Sequence, residues 1–297
     1  MPPPTPLHGG EKLHHYRKLL FQKYRRKPFG DPKPSGYTCH VGKRRIRRKR
    51  HEQLNLLNKA GTGRGDHRKG KKRGGRPRKT ARGSASHRPR AVFKPSQPLH
   101  VVLRVNDAVG SLRKRFMYRA LRWATIVAAN HDDARIVHLS IQRTHVHLLV
   151  EAQSRRALAK LMQGFQISAA KNINRAYSSA RKLEQRRRGK VFTDRYFSTV
   201  IETPRQARHA LSYVLNNWRK HREDATDKTR GWKMDLFSSG YAFLGWKGYD
   251  PTTEWKTLPD TYDPLIVWFP KTWLLQEGWK RHGLIDPFEI PSAPRFS

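Results

Sequence analysis

Residues 134–151 constrain the fold more tightly than any other stretch. Residues 134–142 (ARIVHLSIQ) and 145–151 (HVHLLVE) both alternate with a period of two, and only Arg143-Thr144 separates them. Period two is strand geometry, and a two-residue link makes the pair a hairpin. Loop length then fixes the register: Gln142 opposite His145, Ser140 opposite His147, His138 opposite Leu149. One face carries Val137, Leu139, Ile141, Val146, Leu148 and Val150, which makes it the core side. The other carries His138, Ser140, Gln142, His145 and His147 and is expected to be polar and exposed. Arg-Thr lacks the residues that primed turns favour, so a longer loop would shift the pairing. His145 and His147 share a face of their own strand in either case.

The surrounding periodicity completes an architecture. Residues 98–105 (PLHVVLRV) read as a strand, 111–130 as a helix and 155–177 as a second helix. Residues 190–201 are extended, and 204–221 form a third helix opening on Thr203-Pro204. Strand, helix, strand, strand, helix, strand, helix is the order of an α+β, ferredoxin-like antiparallel sheet with helices packed on it.

Charge divides the chain into three. The sequence has 63 Lys+Arg against 22 Asp+Glu, a formal net charge of +41. Residues 1–95 carry roughly +25 of it, residues 96–225 roughly +16, and residues 226–297 none. Such an excess calls for a polyanionic partner, and nucleic acid is the default. Residues 1–95 hold KRRIRRKR and KGKKRGGRPRKTARG with few large apolar residues, and are expected to be a disordered basic arm. Within it Arg76 and Arg78 flank Pro77 in a Gly-Arg-Pro sequence like an AT-hook, which lays arginine along a narrow minor groove; unspecific phosphate attraction explains the same residues. Residues 226–297 hold six of the eight tryptophans, a signature of a folded or docked extension, and 270–283 (PKTWLLQEGWKRHG) read as one helix from proline to glycine. The single Cys39 excludes a disulfide framework and Cys-based zinc modules. No apolar signal core or membrane-length apolar run is found, so the expected location is the cytoplasm, in association with the nucleoid.

Two imidazoles two residues apart on a strand can reach one cation, although a chain with 15 histidines offers such spacing by chance. On the last helix Tyr213 and Asn217 are four residues apart and lie on one face, at the edge of a stripe formed by Ala207, Ala210, Leu211, Val214 and Trp218. A divalent ion, Mg2+ or Mn2+, held by His145, His147 and the Asn217 amide would polarise a phosphate facing the Tyr213 hydroxyl. Against this stand the plain readings: surface histidines, and a half-buried tyrosine with its hydroxyl in water.

The ordered series LHVVLRV, HVHLLVEA, LMQGFQISAAKNINRAY, GKVFTDRY and ETPRQARHALSYVLNN resembles the single-tyrosine HUH transposases, and among them the REP-associated tyrosine transposases. The resemblance covers residues 96–225. It implies that His145 and His147 bind the catalytic metal, that Asn217 is the third ligand, and that Tyr213 is the nucleophile that cuts single-stranded DNA beside a hairpin, leaving a 5′-phosphotyrosine and a free 3′-hydroxyl. Lys171, Arg175 and Arg195 are candidate DNA contacts alongside Arg76 and Arg78. One departure stands out: relatives usually read Arg-Tyr-His before the final helix, and this chain reads Arg195-Tyr196-Phe197.

Two other readings remain open. A basic DNA- or RNA-binding protein on the same sheet explains the charge but not the pairing of histidines with tyrosine. A hydrolytic nuclease needs a water-activating base, for which Glu151 is the candidate, unless Glu151 pairs with the basic arm. The oligomeric state is not legible in the sequence.

Overall fold

The computed structural model describes residues 90–249, 259 and 262–292. Arg76, Arg78, Trp255 and the basic arm up to residue 89 lie outside the described residues. The described chain runs β1 (Leu99–Arg104), α1 (Arg115–Ala128), β2 (Ala134–Ile141), β3 (His145–Ala152), α2 (Arg155–Ala180), β4 (Phe197–Val200) and α3 (Pro204–Lys220). The four strands form one antiparallel sheet in the order β2-β3-β1-β4, the ferredoxin-like arrangement expected from the element order. Of the long extended stretch expected before α3, only Phe197–Val200 pairs as a strand, with an isolated bridge between Val105 and Phe192.

The hairpin has the register that a two-residue link dictates. Ser140 faces His147, His138 faces Leu149, and the Gln142 amide donates to the His145 carbonyl at 2.9 Å. One side of the sheet packs against α1 and α2: Leu99, Val101 and Leu103 of β1 join Leu139, Ile141, Val146, Leu148 and Val150 beneath Leu121, Leu161 and Phe165. Val137 departs from expectation. A bulge between Ile136 and His138 leaves it outside the pairing, so Ile136 takes the core side and Val137 turns to the opposite face.

That opposite face is not open to solvent as the polar pattern predicted. α3 lies across it, and the chain beyond α3 returns to seal the rest, so His138, Ser140, Gln142 and His147 are all buried. Val137 and Leu149 of the sheet and Leu211, Val214 and Leu215 of α3 close a second core with Phe243, Trp246, Leu274, Leu275, Trp279 and Ile285. Trp246 and Trp279 are fully buried there. Residues 270–283 are not one helix. A short α4 (Asp227–Arg230) precedes the region, and α5 (Trp273–Gln276) gives way at Glu277 to a 3-10 turn, Gly278–His282. The Trp273 ring lies 2.7 Å from where a Cβ on Gly278 would stand, an approach only glycine permits. Gly283, at φ +83°, turns the chain out of the 3-10 segment.

Glu151 anchors this extension. Its carboxylate is buried and accepts hydrogen bonds from the Lys271 and Thr272 amides and from the Thr272 hydroxyl, at 2.8 to 3.0 Å. Arg135 stands 3.7 Å away. Its partners are therefore Arg135 and the C-terminal segment, and neither oxygen is free to activate water.

Candidate active site

The site is built where β3, β1 and α3 meet. His147 has Val102 as its partner on β1 and Ser140 on β2, and His145 is paired with Arg104. α3 is set by a capping box: the Thr203 hydroxyl accepts from the Gln206 amide, Gln206 reaches back to the Thr203 amide, and Pro204 occupies the first turn. Its apolar stripe of Ala207, Ala210, Leu211 and Val214 is buried, which fixes its rotation. Tyr213 then stands edge-on to His147, ring centroids 5.1 Å apart, and to His100 at 5.8 Å. The Lys220 ammonium lies 5.2 Å from the Tyr213 ring. Asn217 follows one turn later on the same face and is completely buried.

Two residues absent from the sequence-based candidates belong to this cluster. His100 of β1 makes a 3.0 Å hydrogen bond between its Nε2 and Nδ1 of His147, and the two rings stack. His221, at the C-terminal cap of α3, packs edge-on against His145 at 5.6 Å. Both had a faint signal: His100 falls on the histidine face by alternation along β1, and His221 continues the Tyr213, Asn217 series by one more turn.

Burial dominates the electrostatics. It lowers the pKa of His100 to about 4, with the neighbouring His145 adding to the effect. It lowers His145 to about 4, helped by His221 and Arg104, and holds His147 well below the usual histidine value. All three are neutral at physiological pH, the form that ligates metal. Burial raises the Tyr213 phenol above its ordinary value, so the hydroxyl keeps its proton in the free protein.

The polar inventory tests the fit to a metal. Nε2 of His147 and both amide atoms of Asn217 are buried without a hydrogen-bond partner, and each such group costs about 1 to 3 kcal/mol. In the tautomer that leaves His147 Nε2 with a lone pair, Nδ1–H of His147 donates to Nε2 of His100. Among the described residues no three His, Cys, Asp or Glu side chains form a metal-binding group, so the third protein donor would be the Asn217 amide oxygen. The orphaned Nε2 of His147 and amide oxygen of Asn217 are donor types that a divalent cation takes, and His145 packs beside His147.

The other predicted DNA-binding residues lie apart from this cluster. Lys171 and Arg175 are exposed on α2, which covers the opposite face of the sheet. Arg195 is exposed just before β4. Phe197 is 67% exposed and has Val102 as its partner, in the same cross-strand row as His147. Beyond the hairpin end, Arg113 forks onto Asp235 at 2.8 Å twice and donates to the Ile141 carbonyl, tying β2 to the extension.

No curated protein sequence matches this chain significantly. Among solved structures, that of the REP-associated tyrosine transposase bound to a REP hairpin is similar at 17% identity and a TM-score of 0.39, over 60% of this chain and 94% of that one. A Deinococcus radiodurans R1 protein assigned as a candidate transposase is similar at 15% identity and a TM-score of 0.29, over 41% of this chain and 87% of that one. Scores this low leave the assignment to the sequence family. Residues 94–217, the segment that spans the whole sheet, both histidine ligand candidates, Tyr213 and Asn217, match the family model of IS200-like transposases.

Proposed function

We propose that this protein is a metal-dependent DNA strand transferase that cuts and rejoins single-stranded DNA at hairpin-forming repeats, with Tyr213 as nucleophile. The observation that carries the reading is the convergence of Tyr213 on His147, 5.1 Å ring to ring, where the Nε2 of His147 and the amide of Asn217 are buried and unsatisfied. His145, His147 and Asn217 would hold the divalent metal, Mg2+ or Mn2+, which would supply Lewis-acid polarisation of the scissile phosphate. His100 fixes the ring of His147 through the 3.0 Å hydrogen bond. The Tyr213 oxygen attacks phosphorus as its proton passes to water. The bond from phosphorus to the 3′-oxygen breaks, and that oxygen takes up a proton from water. A 5′-phosphotyrosine and a 3′-hydroxyl result, and attack by the hydroxyl reverses the reaction.

Hydrolysis by an activated water is the weaker reading, because the carboxylate it requires, Glu151, is saturated by the C-terminal segment. No helix among the described residues is long and apolar enough to cross a membrane, and we place the activity in the cytoplasm, on nucleoid DNA. The test is incubation with a single-stranded hairpin oligonucleotide and Mn2+, resolved on a denaturing gel. A covalent protein–DNA band that disappears in Tyr213→Phe is expected. Binding without any band in the parent protein makes it a non-catalytic DNA-binding protein instead, and a band persisting in Tyr213→Phe moves the nucleophile, with Tyr196 next.

A further inference from the structure

On the far side of the edge strand β4, away from the histidines, lies a cavity of about 370 Å3. Four arginines line it, Arg90, Arg155, Arg156 and Arg195, together with Tyr196 and Phe93, and among the described residues no carboxylate does. Arg90 is held in place: its guanidinium carbon sits 3.6 Å from the Tyr196 ring centroid, and it donates to the Tyr196 carbonyl at 3.3 Å. Partial burial lowers its pKa most, Tyr196 offsets part of that and the charge of Arg195 adds to it. Arg155 and Arg156 are exposed. They begin the 26-residue α2, whose first turn has no acidic residue, and two positive charges there oppose the helix dipole. Four arginines lining one cavity, with no carboxylate among its described lining residues, fit an anion. The cavity lies at the small end of the range for ligand sites, about 300 to 1,000 Å3, enough for one nucleotide.

β4 ties the cavity to the reaction. Tyr196 and Ser198 face the cavity, while Phe197 between them faces the histidine side, exposed and two strands from His147, on the order of 10 Å. A strand that leaves the histidine face by this edge meets an aromatic ring on which a base can stack and then the arginines.

We propose that this cavity binds one nucleotide of the single-stranded DNA flanking the cut, its phosphate among Arg90, Arg155, Arg156 and Arg195 and its base or sugar against the Phe93 and Tyr196 wall. The proposal rests on the strand-transferase reading above for the identity of the nucleic acid, but binding is measured without catalysis. The experiment uses the full chain carrying Tyr213→Phe and two probes, a blunt DNA hairpin and the same hairpin with a single-stranded extension, by fluorescence anisotropy across a salt series. Adding Arg155→Gln and Arg156→Gln should weaken binding of the extended probe roughly tenfold and flatten its log-log salt slope by about 0.7 for each phosphate no longer neutralised, with the blunt hairpin bound as before. The variant should melt no lower than its parent, since the charges it removes oppose α2. Lys114→Gln with Arg119→Gln, two exposed cations elsewhere, is the control for charge alone. Equal losses on both probes, or the same loss in the control, would show unspecific attraction and overturn the site; so would no loss at all. Failure of the covalent-adduct test alone leaves this result readable, because no step of it requires cleavage.

Discussion

Replacing Glu151 separates two roles for a carboxylate on the strand of the histidine pair. One oxygen accepts from the Thr272 amide and hydroxyl at 2.8 Å each and from the Lys271 amide at 3.0 Å, and the other accepts from the Lys271 amide at 2.8 Å. Glutamine keeps the first oxygen, and with it the 3.0 Å bond from the Lys271 amide, but turns an NH2 group toward that amide and Arg135, donor against donor. The shorter of the two bonds from the Lys271 amide disappears, a cost of about 1 to 3 kcal/mol. Alanine strands all three donors, at about 3 to 5 kcal/mol. Urea denaturation measures both, and hydrogen exchange at the Thr272 and Leu275 amides should show the loss as local opening of the segment around α5. Cleavage per folded molecule should be little changed in Glu151→Gln. Two outcomes would refute the reasoning: a stability loss below about 0.5 kcal/mol for alanine, or a glutamine variant of full stability that no longer cleaves, which would make Glu151 a participant in the chemistry.

Other predictions bear on the second core, the extension and the arm. Gly245→Ala should cost about 1 to 3 kcal/mol or more in urea melts, because its Cβ would stand 2.2 Å from the fully buried Trp279 ring and 2.7 Å from Phe243. Burial pushes the Glu289 carboxyl up, but hydrogen bonds from Arg208 and Ser212 outweigh it and hold the carboxyl below its ordinary value near 4.5. Its stabilisation is therefore complete above that value and lost as pH falls through the lower folded value, so the stability gap between the parent and Glu289→Gln should narrow in acid; a gap independent of pH contradicts this. Removing residues 1–89 should flatten the salt dependence of DNA binding while leaving the cut position on a long single strand unchanged; a shifted cut would mean that Arg76 and Arg78 help choose the target.

The hairpin register and the shared face of His145 and His147 were legible because a period of two and a two-residue link leave little freedom. Tyr213 and Asn217 were legible for the same reason on a helix, where four residues make one turn. What the pattern concealed depends on distance along the chain. His138, Ser140 and Gln142 read as a solvated face because the segments that bury them lie about a hundred residues later and carry no periodicity. Val137 alternates correctly as a string of letters, and only a partner strand reveals that it is skipped. His100 was one histidine in an apolar strand until β1 was placed beside β3. The arginine cavity is drawn from residues 90, 155–156 and 195, which no local window joins.

The second core has a consequence for what counts as a unit of this protein. The segment that matches the IS200-like transposase model ends at Asn217, yet Phe243, Trp246, Leu274, Leu275, Trp279 and Ile285 supply the far half of the apolar layer over its sheet. A polypeptide stopped after Lys220 would leave Val137, Leu149, Leu211 and Leu215 against water, a continuous greasy strip beside the histidines that invites self-association. Kinship and autonomy thus have different boundaries here. Grafting the tyrosine segment into another protein, or exchanging it with a relative, means carrying its last seventy or so residues as well, since the lid and the machine beneath it are one folded object.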